Sequence, residues 1–310
     1  MTEQIAASPE VHRMVSAAHG ERGRRWLAEL PALVTALAER WSLRLGPAFS
    51  GGAVAYAALV VLENGSEAVL KVTLAEEESR GEGAALRHWD GDGAIRVLDE
   101  DRRLGALLLE RCRPGRSLAE SAGVAEAVEV LAGILPRLWA HPAAEQHEFP
   151  LGAKKARDWS ARLAAGAGML APLGAADLAD RGAGVAETLS VPEYSPAPGP
   201  VVVNRDLHPG NVLSAAREPW LLIDPKPLVG EPAFDCGHLV RQLLWQHAPR
   251  ADGASEVTES LAQQLDLDPL RVRGWAFVRS IENALWAVET GYDSPLWEVE
   301  CARALLQAGV

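Results

Sequence analysis

Two aspartates and an asparagine are spaced in a way that phosphoryl transfer could use. Asp206 and Asn211 lie in the run Asp-Leu-His-Pro-Gly-Asn-Val-Leu, and Asp224 ends the next apolar stretch, 220–223. Phosphoryl transfer needs a carboxylate that orients the attacking hydroxyl and accepts its proton. It also needs hard oxygen ligands for Mg²⁺, which neutralises charge on the nucleotide phosphates. The pattern therefore predicts Asp206 as the base and Asn211 and Asp224 as magnesium ligands.

The same residue types also have an ordinary structural use. Asp and Asn are common turn formers, so an Asp and an Asn five residues apart carry little information alone. The complete run, followed by an apolar strand that ends in Asp, is far more specific. We therefore favour the catalytic interpretation over a set of turn residues.

Lysine usage gives a second indication. Lys71 is the sole lysine in the first 150 residues, and it follows the apolar stretch 67–70. A strand lysine that binds nucleotide phosphates normally forms an ion pair with a glutamate of the next helix. Glu82 is the predicted partner, with Glu78 as the competitor. Taken alone, Lys71 would be an exposed charge on an edge strand; with the downstream motif it predicts a phosphate contact.

A glycine turn lies one hairpin before Lys71. Ser50, Gly51 and Gly52 are where a loop could cover nucleotide phosphates through its backbone N–H groups. The spacing is not that of a P-loop, and a Gly-Gly pair between strands is commonly just a turn. Its order relative to Lys71 favours the phosphate role.

Charge and cysteine content exclude several other classes. Lys and Arg number 30 against 42 Asp and Glu, giving a net charge of −12. Nucleic acid and anionic membrane surfaces are therefore poor partners, and a cationic small molecule suits the chain better. Three scattered cysteines favour neither a disulfide framework nor a zinc site. The first residues lack the pattern of a signal peptide, so we expect a cytoplasmic protein. No pattern indicates an oligomeric state.

Periodicity and turn signals predict an α+β chain of two domains. Strands and two helices fill residues 1–111, and helices dominate residues 112–310. The Asn64-Gly65 turn predicts a hairpin, and a second turn is expected at Asp99–Asp101. Ser117 and Glu120 have the spacing of a capping box at the start of one helix that reaches Trp139. Helices are also predicted at 9–41, 76–89, 154–170 and 174–189, and beyond Pro232.

At these motifs the chain resembles the aminoglycoside phosphotransferase branch of the protein-kinase-like superfamily. More closely, it resembles the streptomycin 6-phosphotransferase and hydroxyurea phosphotransferase family. Similar segments are 49–54, 107–115, 206–213 and 217–235, including the unusual run Asp-Pro-Lys-Pro-Leu-Val-Gly-Glu-Pro. The resemblance implies a two-lobed kinase-like fold with a small, mostly antiparallel β lobe and a larger helical lobe. It also implies ATP and Mg²⁺ as cofactors and a hydroxyl of a small molecule as acceptor.

The resemblance also implies roles for individual residues. Adenine would bind the backbone from Glu110 to Cys112, Asp235 would brace the catalytic loop, and His208 would be a packed loop residue. The family usually has His-Gly before the catalytic Asp, whereas this chain has Asn204-Arg205. The loop conformation and the acceptor geometry of the family therefore do not carry over directly to this chain, whereas the roles of Asp206, Asn211 and Asp224 do.

Acidic residues near the C-terminus could face a cationic acceptor. Glu282, Glu289 and Trp286 share a predicted helix face, which suits a guanidinium or ammonium group through ion pairs and cation–π contact. They would equally serve as an ordinary solvated face. Asp293, Glu298 and Glu300 are the other acids of this segment.

Three readings of the function stay open. The first is an ATP-dependent phosphotransferase for an aminoglycoside of the streptomycin type, with hydroxyurea, a sugar or another metabolite as alternative acceptors. The second is a kinase-like binding protein without activity, against which the complete set of motif residues argues. The third is a protein kinase, which the missing Asp-Phe-Gly and the absence of a long activation segment disfavour.

Overall fold

A computed structural model describes residues 5–50, 54–74, 77–144, 148–194, 199–245, 249–291 and 295–310, with the backbone alone for 77–80. Its internal contacts define two compact units. Residues 1–115 with 215–217 form the first unit, and residues 116–214 with 218–310 form the second. The sequence places the corresponding boundary between residues 111 and 112.

A long helix, α1 (Pro9–Arg40), opens the described part of the first unit, close to its predicted range. The Ser8 hydroxyl accepts the N–H of Val11 (3.2 Å), and Pro9 lies in the first turn, where a helix does not need its missing N–H. The backbone leaves the helical conformation at Gly20, where φ is +54°. A glycine adopts this angle without a Cβ clash, so the helix kinks there.

Five strands of the described residues form one antiparallel sheet: β1 (Arg44–Ala48), β2 (Ala55–Val61), β3 (Glu67–Thr73), β4 (Val97–Asp101) and β5 (Ala106–Glu110). Their order in the sheet is β1-β2-β3-β5-β4, and helix α2 (Glu77–Trp89) follows β3. The β2–β3 hairpin turns at Asn64-Gly65, where Gly65 has a φ of +82°.

The core of the first unit determines which way Lys71 points. Ala68, Leu70 and Val72 of β3 are fully buried in one cluster with Leu30 and Val34 of α1. Side chains alternate between the two faces of a strand, so Lys71 lies on the face opposite to α1.

The predicted turn at Asp99–Asp101 is wrong, because β4 runs through these residues and the chain turns at residues 102–105. Asp101 stabilises the observed turn: its Oδ1 accepts the N–H groups of Arg103 (3.0 Å) and Leu104 (3.1 Å). Gly105, with a φ of +65°, completes it. The acids suggest a turn, but they lie on an edge strand, where polar side chains can face solvent.

The second unit is mostly helical. Its helices are α3 (Leu118–Ser121), α4 (Val124–Trp139), α5 (Gly152–Leu170), α6 (Ala176–Leu189), α7 (Ala233–Trp245), α8 (Ala251–Leu265), α9 (Pro269–Thr290) and α10 (Pro295–Gln307). Its strands are β6 (Val201–Asn204), β7 (Val212–Ser214), β8 (Trp220–Leu222) and β9 (Pro227–Gly230). Strand β6 pairs with β9, and β7 with β8, both antiparallel. Helix α9 lies at the centre of the unit, in contact with α5, α6, α7, α8 and α10.

The single helix predicted from Ser117 to Trp139 is interrupted. The Ser117 hydroxyl does cap its first turn, accepting the N–H of Glu120 (3.3 Å). Ala122 is extended, however, and Gly123 begins a second helix as its N-cap residue. Glycine is unfavourable inside a helix, which favours the break at this point. Among the described helices, none combines the length and apolar composition needed to cross a bilayer.

Two glycines of α5 test how closely the helices of the second unit pack. A Cβ at Gly166 would lie 2.5 Å from Cδ2 of the buried Leu285, whereas a Cβ at Gly168 would have no neighbour within 4 Å. We expect Gly166→Ala to destabilise the fold by about 1–3 kcal/mol through overpacking. Gly168→Ala should stabilise it by about 0.5–1 kcal/mol, since alanine loses less entropy in a helix. Denaturant unfolding measures the free energy of unfolding of both variants. Equal changes in the two would contradict the close approach of α5 and α9.

Candidate active site

One asparagine organises the loop that carries Asp206. Asn204, the last residue of β6, is buried, and its Oδ1 accepts the N–H of Asp206 and the N–H of Lys226, both at 2.9 Å. The N–H of Arg205 donates to the carbonyl oxygen of Lys226 (2.9 Å). The loop after β6 is therefore tied to the residue that precedes β9. This is the structural role of the asparagine at the position where the family usually has histidine.

A buried aspartate holds Asn204 in turn. Asp235, in the first turn of α7, accepts the N–H of Asn204 and the indole N–H of Trp139 (2.8 Å). Burial raises the pKa of Asp235 to about 7, against the opposing effect of these two hydrogen bonds. The bracing contact expected of Asp235 is present, since it connects α4 and α7 to the end of β6.

Asp206 has a cationic neighbour on its carboxylate. Lys226 Nζ donates to Oδ2 at 2.6 Å, and His238 Nε2 lies 3.4 Å from Oδ1. Burial alone would raise the pKa of Asp206, but the charge and hydrogen bond of Lys226, with smaller contributions from His208 and Arg279, hold it below its usual range. Asp206 is therefore ionised at neutral pH and able to accept a hydrogen bond from a hydroxyl group.

Asn211 and Asp224 lie at the same end of the β7–β8 hairpin. The N–H of Ile223, beside Asp224, donates to the carbonyl oxygen of Asn211 (2.8 Å), and Asn211 Nδ2 donates to the carbonyl oxygen of Asp206 (3.2 Å). Asp224 has a φ of +50°, an unusual conformation for a residue other than glycine and one that often marks a functional site.

The donor atoms at this hairpin fit a hard cation. The amide nitrogen of Asn211 is used in the hydrogen bond, so Oδ1 is the atom of this side chain that could bind a metal, and the carboxylate of Asp224 offers oxygens of the same ligand type. Mg²⁺ is commonly held by one or two protein oxygens, with water and phosphate as its other ligands. Within the described residues, no group of three or more His, Cys, Asp or Glu side chains forms an all-protein metal site.

Two residues beside Asp206 are not among the sequence-predicted site residues. Lys226 could have been found, because it is one of four lysines in the chain and follows Asp224 by two residues. His238 has no comparable signal, since its contact with Asp206 depends on how α7 packs. His208 accepts the N–H of Gly210 with its Nδ1 (3.1 Å), as expected of a packed loop residue.

In the first unit, Lys71 and Glu82 form a buried ion pair. Lys71 Nζ donates to both carboxylate oxygens of Glu82, at 2.8 and 2.7 Å, and the side chains are 11% and 6% exposed. The pair joins β3 to α2, so the lysine is fixed in direction. The side chain of Glu78, the competing partner, lies outside the described residues, as do Gly51 and Gly52. Ser50 is exposed.

Glu110 and Cys112 lie at the end of the first unit. The Glu110 carboxylate accepts from Arg217 Nε (2.8 Å) and from the N–H of Arg96 (3.0 Å), and its own N–H donates to the Arg96 carbonyl (2.9 Å). Neither the Glu110 side chain nor its N–H is left for a nucleotide. Burial, with a smaller effect of Glu110, raises the pKa of the Cys112 thiol to about 12, so this thiol stays protonated.

The acidic surface expected near the C-terminus is neutralised by arginines. Arg162 of α5 pairs with both Glu282 and Glu289, and Arg279 also binds Glu282 (2.8 Å). Arg241 and Arg303 pair with Glu298 and Glu300, respectively. Trp286 is 36% exposed, and Asp293 lies outside the described residues. Arg279 and Arg303 pair with an acid three residues away on their own helix, whereas Arg162 and Arg241 come from other helices, and the sequence does not reveal those two contacts.

Solved structures identify the class of the fold. An aminoglycoside phosphotransferase, APH(4)-Ia, solved with AMP-PNP and hygromycin B, matches with a TM-score of 0.59 over 88% of this chain and 97% of its own, at 14% identity. At this identity the likeness shows the fold alone. The predicted kinase-like α+β fold, with a small antiparallel β lobe and a larger helical lobe, is confirmed.

Sequence comparison then gives the family. The profile of the family described as "Aminoglycoside/hydroxyurea antibiotic resistance kinase" matches residues 40–291. The streptomycin 6-kinase of Streptomyces glaucescens is 37% identical over 295 residues, 94% of each chain. The hydroxyurea phosphotransferase of Kitasatospora aureofaciens is 40% identical over 299 residues, 93% of this chain and 82% of the relative. The chain belongs to this family of phosphotransferases, as its motifs predict.

The Lys71–Glu82 pair predicts that removing one of its charges costs more stability than removing both. Glu82→Gln leaves a buried ammonium without its counter-charge, so we expect a loss of about 3 kcal/mol in the free energy of unfolding. The double variant Lys71→Met/Glu82→Leu removes both charges and should recover most of that stability. Denaturant unfolding compares the three proteins, and a double variant no more stable than Glu82→Gln would contradict this account.

Proposed function

We propose that this protein transfers the γ-phosphoryl group of ATP to a hydroxyl group of streptomycin or a related aminoglycoside. The observation that carries the proposal is the arrangement of Asp206, Asn211 and Asp224 around one loop and one hairpin end. The relatives named streptomycin 6-kinase and hydroxyurea phosphotransferase support the reaction class. Use of ATP accords with a reaction in the cytoplasm.

In this proposal the side chains of the second unit divide the work. Asp206, kept ionised by Lys226, orients the acceptor hydroxyl and takes its proton. Asn211 Oδ1 and the Asp224 carboxylate hold Mg²⁺, which neutralises charge on the nucleotide phosphates when bound. Lys226 keeps a positive charge next to the carboxylate, close to where negative charge develops during transfer.

The residues of the first unit bind the nucleotide in the same proposal. Lys71, directed by Glu82, contacts the phosphates as a point charge. The turn of Ser50, Gly51 and Gly52 covers the phosphates through backbone N–H groups. Adenine binds backbone groups between Glu110 and Cys112, with the Glu110 N–H already committed to Arg96.

The acceptor is the finer part of the proposal. Streptomycin is favoured by the kinase that matches 94% of both chains, and hydroxyurea is the second candidate because its phosphotransferase has the higher identity, 40%. A cationic acceptor would have to displace Arg162 from Glu282 or Glu289 to use those carboxylates, whereas a small neutral acceptor would not.

Isosteric variants separate the base from the metal ligands. Asp206→Asn should lower kcat by about 10²- to 10⁴-fold, because the proton acceptor is lost, with the affinity for Mg²⁺-ATP nearly unchanged. Asp224→Asn should instead weaken Mg²⁺-ATP binding, measured by calorimetry. Asp252→Asn makes the same chemical change at a fully exposed site and should alter neither quantity. Near-normal turnover in Asp206→Asn would refute the base assignment.

A panel of acceptors tests the substrate directly. The protein is incubated with Mg²⁺-ATP and one acceptor at a time: streptomycin, a second aminoglycoside or hydroxyurea. The masses of the products are measured by mass spectrometry. One phosphoryl group adds about 80 Da, and we expect this adduct on streptomycin with the native protein but not with Asp206→Asn. An adduct on hydroxyurea alone would show that hydroxyurea, and not streptomycin, is the acceptor. No adduct on any of the three compounds would contradict both candidate acceptors.

A further inference from the structure

The two oxygens of the Asp206 carboxylate have different neighbours. Oδ2 receives the ammonium of Lys226 at 2.6 Å, as described above. Oδ1 lies 3.4 Å from Nε2 of His238, which projects from α7 and is 8% exposed. A donor on each oxygen would prevent the carboxylate from rotating about its Cβ–Cγ bond.

Arg279 determines which nitrogen of His238 carries the proton. Its Nη2 lies 3.4 Å from Nδ1 of His238. A guanidinium group has donors and no acceptor, so Nδ1 must accept, and the proton of a neutral imidazole is then on Nε2. Oδ1 of Asp206 lies 3.4 Å from that Nε2, and the side-chain nitrogen of Gln242, one turn later in α7, lies at the same distance from it. The nitrogen and oxygen of an amide exchange places when the side chain is flipped, and with its oxygen toward His238 the Gln242 amide accepts and does not compete with the Nε2–H.

His238 is held in the neutral form. Burial, together with the charges of Arg279 and Arg241 and smaller effects of His208 and Lys226, keeps its pKa well below the usual range. A neutral donor can orient Asp206 without adding a second positive charge beside Lys226. The carboxylate is therefore fixed with less loss of basicity than a second cation would cause.

Arg279 is itself fixed from two sides. Its Nη1 donates to Glu282 Oε2 at 2.8 Å, and its guanidinium lies 5.0 Å from the centre of the Trp159 ring. Helices α5 and α9 thereby hold the arginine that selects the His238 tautomer. The contacts run without a break from these helices through α7 to the loop of Asp206.

We propose that His238 is a positioning residue for phosphoryl transfer, whose Nε2–H holds Oδ1 of Asp206 in the orientation that receives the hydroxyl proton. The inference rests on the proposed function, because it needs Asp206 as the proton acceptor. Its physical basis is that proton transfer requires an aligned acceptor, and small misplacements of a reacting group are costly.

Two substitutions separate this role from simple packing. His238→Met removes the donor at similar volume, and kcat should fall by about 10- to 100-fold with KM for ATP within about twofold. His238→Gln places an amide N–H near the position of Nε2 and should recover kcat to within about fivefold of the native value. Val240→Ala, a cavity on the same helix, should reduce stability while kcat per folded molecule stays within about twofold. Equal kcat in the native protein and His238→Met would overturn the proposal.

Nitrogen-15 NMR of the imidazoles shows which nitrogen of His238 carries the proton. It needs no activity measurement, and it can be made even if His238→Met does not fold. We expect the Nε2–H tautomer for His238, identified by its loss in His238→Gln, and a shift of its Nε2 signal in Asp206→Asn. The Nδ1–H tautomer, or no response to Asp206→Asn, would overturn the inference.

The Asp206→Asn protein distinguishes this inference from the proposed function. If Asp206→Asn is inactive and His238→Met fully active, the positioning role fails and the proposed function stands. If Asp206→Asn retains turnover, the base assignment fails, and the positioning role with it. In the double variant, His238→Met should cause no further loss beyond Asp206→Asn, because its effect passes through that carboxylate.

Discussion

One side-chain oxygen, Oδ1 of Asn204, accepts the backbone N–H groups of both Asp206 and Lys226. This pair of hydrogen bonds brings the carboxylate and the ammonium together, although they are 20 residues apart in the chain. Asn204 is in turn held through its own N–H by Asp235. The N–H of Asn204 is buried, and an unsatisfied buried N–H costs about 1–3 kcal/mol, so the end of β6 has a strong reason to keep its contact with Asp235. The geometry of the second unit's site follows from that constraint.

Charge is balanced locally in both units. Lys71 is paired with Glu82 inside the first unit, and Asp206 with Lys226 in the second. A buried charge without a partner is strongly destabilising, so Lys71 has a structural reason to be paired as well as a possible role in phosphoryl transfer. The acids near the C-terminus follow the same rule, since Arg162 joins Glu282 and Glu289. Their abundance in the sequence therefore indicates helix–helix ion pairs as much as acceptor binding.

Local patterns predicted local structure well, because their causes are local. The Asn64-Gly65 hairpin, helix α1 and the capping contact of Ser117 follow from turn geometry, apolar periodicity and side-chain capping. The family was recognised from motif residues alone and is confirmed. The strand through Asp99 was missed because pairing at the sheet edge outweighed the local turn preference of its acids. The interruption at Ala122-Gly123 has a local cause, the glycine, but the apolar pattern on both sides of it predicts one continuous helix. His238 was missed because α7 packing alone brings it to Asp206.

We propose that Asn211 and Asp224 hold the metal while Asp206, as the proton acceptor, does not coordinate it. The anomalous scattering of Mn²⁺, in crystals grown with the metal and AMP-PNP, would locate the metal directly. We expect a metal peak about 2.0–2.3 Å from Asn211 Oδ1 and from an Asp224 oxygen, with both Asp206 oxygens outside coordination distance. A peak coordinated by Asp206, or one that contacts neither Asn211 nor Asp224, would contradict it.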